Sequence, residues 1–194
     1  MKVTSKQLNQ IIKEETRKVL LEAEGSRLDP ASKNEIHAAW KGLKTLLFSG
    51  ELGLINDLRR PPSMGSPGAY SGATPDEMSS RFGGVARAAL HFSHALHRVR
   101  EKYKGQESTQ VNTPPSLGGD LFHIESMIDV AAGLAENIQN TGKVFVAYAT
   151  QKRAGGKPEY PGGGVGEGFI SQKFGYLISF MKMLDIDPEG HGGY

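Results

Sequence analysis

The chain contains no cysteine, so disulfides, thiolate metal sites and cysteine nucleophiles are excluded from the start. Long apolar runs are missing too: no stretch approaches the ~18–20 consecutive apolar residues that span a bilayer. The first residues do not read as a secretory signal, because Lys13, Glu14 and Glu15 interrupt the part that would have to be apolar. Charge of one sign is scarce. The net charge of +2 is carried by residues 1–22, where Lys2, Lys6, Lys13, Arg17 and Lys18 face Glu14, Glu15 and Glu22. That leaves 18 of the 23 basic and 18 of the 21 acidic side chains to residues 23–194, a balance that offers no bulk attraction to a nucleic-acid backbone. Nucleophile and metalloprotease signatures such as G-x-S-x-G and H-E-x-x-H are lacking as well. The expectation is a small, soluble, intracellular-type protein that is not an enzyme and has no catalytic residue, cofactor or metal.

What the sequence does carry is helical periodicity. A helix is predicted from Ser32, with Glu35 completing a capping box and Ile36, Trp40, Leu43 and Leu47 on one face up to Gly50. A shorter piece, Glu51 to Leu58, runs into Arg59-Arg60-Pro61-Pro62 and a Pro/Gly/Ser loop over 61–73. Thr74, Pro75 and Glu77 then open a long helix: Thr74 caps, Pro75 takes the first helical position and Glu77 closes the box. Met78, Phe82, Val85, Ala89, Phe92, Leu96, Val99 and Tyr103 alternate by four and three along it, the spacing of a seam that packs like a coiled coil. Gly83-Gly84 falls off that seam, where a closely packed neighbour would account for it. Leu121, Ile124, Ile128, Ala131, Ala135 and Ile138 predict a further helix ending near Asn140 and Gly142. Lys143–Thr150 reads as either a short strand or buried helix, since period alone does not separate short apolar runs. After a glycine-rich stretch over 154–168, a last helix presents Ile170, Phe174, Leu177, Met181 and Leu184, and the chain is expected to fray from Asp185. An all-α bundle of about four body helices over residues 32–194 is the simplest architecture, preceded by a linker over 23–31 and a detachable helix over 1–22.

Four groups resemble functional motifs. His91, His94 and His97 are the most ligand-like cluster, but with Phe92 and Leu96 facing the core they fall on the flank and outer face, and no carboxylate occupies the next turn to complete a metal site. Glu125, Asp129 and Glu136 make an acidic stripe of the kind usually solvated or paired with a basic neighbour. Arg87, Arg98, Arg100, Lys102 and Lys104 make the long helix basic, and its basic end is where a local DNA phosphate contact would fall. The run Gly162 to Gly168 precedes a helix, yet no Gly-Lys-Ser/Thr follows and no strand-turn-helix unit frames it, so it is read as linker rather than phosphate loop.

The N-terminal segment is the most informative. Thr4 and Gln7 form a capping box and Val3 and Leu8 a hydrophobic staple; Leu8, Ile11, Ile12, Val19 and Leu20 recur at helical spacing and leave a narrow stripe that lapses at Glu15 and Thr16. Such a helix is marginal alone and firms up when docked. The stripe is narrow, lacks aromatics and carries three glutamates, which argues against a membrane surface; docking onto a protein fits better. Gly25 and Asp29-Pro30 then mark a break.

Residues M-K-V-T-S-K-Q-L-N-Q-I-I-K-E-E, continuing through Val19-Leu20-Leu21-Glu22-Ala23, resemble the N-terminal targeting peptides on head proteins of T-even-like tailed phages. In that group a head-maturation protease cuts after glutamate in Leu/Ile-x-Glu followed by a small residue, and Leu20-Leu21-Glu22 followed by Ala23 matches. Leu134-Ala135-Glu136 meets the first three positions, but it lies inside a predicted helix and is followed by Asn137. The resemblance covers about 22 of the 194 residues. It implies a docking stripe of Leu8, Ile11, Ile12 and Val19, a cleavage site at Leu20, Glu22 and Ala23, and prohead scaffold or capsid proteins plus the protease as partners. It also implies assembly in the bacterial host cytoplasm and residence in the phage head. Two other readings stay open: a packaged effector acting on a host target after ejection, and a bacterial helical protein that docks a partner through its N-terminal helix.

Overall fold

In a computed structural model the chain is described over residues 28–48, 53–59, 70, 72–104, 117–161 and 166–189. Every regular element among them is helical. In chain order they are α1 (Pro30–Phe48), α2 (Leu54–Arg59), α3 (Pro75–Lys102), α4 (Leu117–Arg153) and α5 (Glu167–Met183). Helices α1, α3, α4 and α5 run up, down, up and down around one core, and the short α2 closes the end where α1 finishes and α3 begins. The protein is an all-α bundle.

Helix α3 starts as its capping residues require. Thr74 Oγ1 accepts from the Glu77 N–H at 3.2 Å, and Glu77 Oε2 accepts from the Thr74 N–H at 2.7 Å. That bond to the Thr74 backbone holds the Glu77 carboxyl below its ordinary range. All eight seam residues from Met78 to Tyr103 are buried, with Ala86 and Ala95 beside them letting the flanking helices approach. Trp40 ties three helices together. Its ring stacks on Phe174 with centroids 4.6 Å apart and tilts against Phe92 at 5.6 Å.

Helix α1 begins earlier than the Ser32 box predicts. Pro30 takes its first position and Asp29 caps it, Oδ1 accepting from the Ser32 N–H at 3.0 Å. Ser32 itself is buried, and its Oγ donates to Asp29 Oδ2 at 2.9 Å. Helix α2 starts at Leu54 rather than Glu51 and buries Leu54, Ile55 and Leu58.

The largest departure is α4, which does not stop near Asn140 and Gly142 but continues to Arg153, so Lys143–Thr150 is helix and not strand. The reason lies in the seam. Beyond Ile138 the four/three alternation continues through Gly142, Phe145 and Ala149, all buried. A Cβ on Gly142 would stand 2.6 Å from Phe82 Cβ, so the glycine lets α3 and α4 close at that level. Gly83 and Gly84 do not have that role: a Cβ on Gly84 would meet nothing within 4 Å, and one on Gly83 only the Arg87 guanidinium at 3.5 Å. At the start of α5, Gly166 adopts φ +73°, and a Cβ there would stand 1.9 Å from Thr141 Oγ1. Backbone conformation and space both call for glycine at that junction.

Helix α5 buries Ile170, Phe174, Leu177 and Met181, as its periodicity predicts, and Leu184 is buried just past its end. The chain beyond is not frayed as far as Glu189. Ile186 is buried, and Trp40 Nε1 donates to the Pro188 carbonyl at 2.9 Å.

Candidate functional site

The docking stripe Leu8, Ile11, Ile12 and Val19 and the cleavage residues Leu20, Glu22 and Ala23 lie outside the described residues, as do Gly162–Val165 of the glycine run. The described residues begin at Leu28, six residues after the proposed cut. Leu28 is buried, and Asp29 next to it anchors the start of α1 to the end of α3. Its carboxylate accepts from Lys102 Nζ at 2.7 Å and from the Tyr103 hydroxyl, while the Asp29 backbone N–H donates to that hydroxyl oxygen at 2.9 Å. The Lys102 ammonium, then Tyr103 and the Ser32 amide, hold the Asp29 carboxyl far below its ordinary range, and the same contact raises Lys102.

His91, His94 and His97 all face solvent on α3. Among the described residues no three His, Asp or Glu side chains converge as metal ligands would, and no helix is long and apolar enough to cross a membrane. The basic end of α3 is engaged with its neighbours. Arg98 Nε donates to Glu35 of α1 at 2.6 Å, and Arg100 Nε to Glu125 of α4 at 2.7 Å. Glu125 of the acidic stripe thus has a basic partner, as exposed carboxylates commonly do; Asp129 and Glu136 are exposed along the same flank.

One polar group not anticipated from the sequence is buried at the α2 end of the bundle. The Tyr70 hydroxyl donates to Asp57 Oδ2 at 2.8 Å and accepts from Arg81 Nε at 2.9 Å, and Arg81 also bonds Asp57 directly. Around it sits an aromatic cluster. Phe82 and Phe145 stack at 5.5 Å, Tyr70 stands edge-on to Phe145 at 5.3 Å, and Tyr160 packs edge-on against Phe145 and Tyr148 at 5.9 and 5.3 Å. Burial, then the bond to Asp57, raises the Tyr70 phenol well above its ordinary range, and burial raises Tyr160. Tyr70 therefore stays a neutral phenol and the Asp57 carboxylate is matched by Arg81. The set is a clamp that pins residue 70 and the Tyr160 segment to α2, α3 and α4. A lone tyrosine in a Pro/Gly/Ser loop carries no periodic signal, so its burial was not legible.

A second unanticipated feature is an exposed apolar face on α5. Phe169, Tyr176 and Met183, seven residues apart, are 67%, 50% and 57% exposed, and Phe122 of α4 is 63% exposed. Phe180, half-buried, stands 5.8 Å from the His123 ring, which in turn meets Phe122 at 5.9 Å. His123 Nδ1 is buried there without a hydrogen-bond partner. The seven-residue spacing lies in the sequence one position out of step with the inward stripe.

Comparison with protein-family models, with curated proteins and with solved structures finds no match to this chain.

Proposed function

We propose that this chain is a head-associated structural protein of a tailed phage, packaged internally or lining the capsid, and that residues 1–22 target it to the assembling prohead before removal after Glu22. The observation that carries the reading is an order of parts: a capped helix with one apolar stripe, then Leu20-Leu21-Glu22-Ala23, then a break, then a body. Asp29 caps α1 on the far side of the cut, so removing residues 1–22 leaves the cap of that helix in place. The partners are the prohead scaffold or capsid proteins and the head-maturation protease. Packaged DNA is a weaker partner, because Arg98, Arg100 and Lys102 would have to leave Glu35, Glu125 and Asp29 to reach phosphate. The effector reading gains no support from the buried Asp57–Tyr70–Arg81 clamp.

Two variants separate addressing from processing. Glu22→Gln enters particles but stays full length, because the protease loses its carboxylate. Ile11→Asp with Ile12→Asp is left out of particles although the body folds. If the second variant is packaged as well as wild type, the docking stripe is not an address.

A further inference from the structure

Among the described residues, the outer face of the α4–α5 pair is an exposed helix surface. Along α5, Phe169, Lys173, Tyr176, Phe180 and Met183 step by four and three, forming a second seam beside the buried one. Phe122 closes the end nearest Met183, and Gly133 of α4 lies under the Lys173 side chain, whose Nζ is 2.8 Å from where a Cβ would stand. We infer that this face is the seat of the chain's own N-terminal helix, residues 4–22, and that cutting after Glu22 uncovers it.

Position, length, pattern and charge all point to that occupant. Leu28, where the described chain begins, lines the same small cavity as Ile186, three residues past the end of α5, so the N-terminal segment emerges at the end of the bundle that carries Phe122, Phe180 and Met183. The five residues 23–27 reach about 16 Å when extended, enough to pass round a helix end roughly 10 Å across. A helix over residues 4–22 is about 28 Å long, against about 21 Å from Phe169 to Met183 at the same rise. Laid parallel to α5, Ile12 and Val19 repeat the seven-residue interval of Tyr176 and Met183. The polar break in the segment at Glu15 then meets Ser179 of α5. Asp129 and Glu136, one turn to either side of Gly133, give that rim of the face negative charge toward a segment with four basic and three acidic side chains, net +1. The four exposed side chains together offer several hundred Å² of apolar surface, the size of patch that marks an interaction site. The docking rests on these features alone. Its release rests on the head-protein reading, in which the cut would free an apolar face for contacts within the shell.

The absence of cysteine makes the test clean, because a single introduced pair reports one distance. Full-length Ile12→Cys/Tyr176→Cys, purified alone at micromolar concentration, is oxidised beside Ile12→Cys/Leu90→Cys, whose second site lies on α3. Intact mass and non-reducing gels should show a monomeric intrachain disulfide forming at least tenfold faster in the first pair. Equal rates in the two pairs, or disulfide-linked dimers as the main product of the first, would overturn the inference, the latter by placing a second copy on the face. Limited trypsin digestion gives an independent readout: cutting after Lys13 and Arg17 should be about tenfold faster in Tyr176→Asp than in wild type, with unchanged melting. Equal cutting rates count against docking. Neither experiment contains phage proteins, so the docking can fail while targeting holds, or the reverse.

Discussion

Replacing Gly142 by alanine tests the packing that makes α4 one helix. Alanine is the better helix former by about 1 kcal/mol, so at an unencumbered helical site the change stabilises. At Gly142 the new Cβ would lie 2.6 Å from Phe82 Cβ and 2.9 Å from its Cγ, about an ångström inside ordinary contact. Phe82 has no easy retreat, being 2% exposed and stacked on Phe145, with Tyr70 at 5.8 Å on another side. Overpacking of this kind costs about 1–3 kcal/mol. Set against the propensity gain, the expected net effect runs from about zero to a destabilisation of about 2 kcal/mol, and a chain of this size loses about 2–4 °C in Tm per kcal/mol. Gly84→Ala is the control, because its Cβ would meet nothing within 4 Å; it should raise Tm by about 2–4 °C through propensity. Thermal melts followed by circular dichroism read both. If Gly142→Ala raises Tm as Gly84→Ala does, then α3 and α4 do not close on Gly142 and the account of a continuous α4 is wrong.

Three further outcomes follow from the core and its anchors. Phe92→Ala should lose about 3–5 kcal/mol in denaturant melts, whereas His94→Ala on the solvent face should stay within ~0.5 kcal/mol; equal large losses would mean α3 is rotated from the orientation described. Arg81→Met should cost about 3–5 kcal/mol by leaving the buried Asp57 carboxylate without its cation, and adding Asp57→Asn should restore part of it; a neutral Arg81→Met would show that the clamp bears no strain of folding. Asp29→Ala should be less stable than wild type at neutral pH. Because the folded carboxyl is held below its unfolded value of 3.8, that advantage is present above about pH 4 and fades as the pH falls further. A gap unchanged between pH 7 and pH 2 in urea melts would remove Asp29 as a charged cap.

Legibility in the sequence tracked how far local signals agreed with packing. In α3 the cap, the proline and an unbroken seam all pointed the same way, and each seam residue is buried. In α4 they disagreed: Asn140 and Gly142 are local stop signals, yet the apolar repeat passes through Gly142 to Phe145 and Ala149, and contact with Phe82 decided the outcome. The start of α1 moved from Ser32 to Pro30 because Asp29 both caps it and bonds to Lys102 and Tyr103, more than 70 residues away, which no local pattern encodes. Tyr70 and the 185–189 tail were hidden for the same reason, their order coming from long-range bonds to Asp57 and Trp40. The targeting stripe and cleavage pattern are sequence readings throughout, and they are tested on particles rather than on the fold.

The central claim is that residues 1–22 are an address removed during head assembly, and the N-terminus of the chain in mature particles tests it most directly. Intact-mass or N-terminal peptide analysis of purified heads should find the chain beginning at Ala23, while the same chain expressed alone keeps its own first residue. Full-length chain in mature particles, or a chain packaged equally well without residues 1–22, would contradict the account.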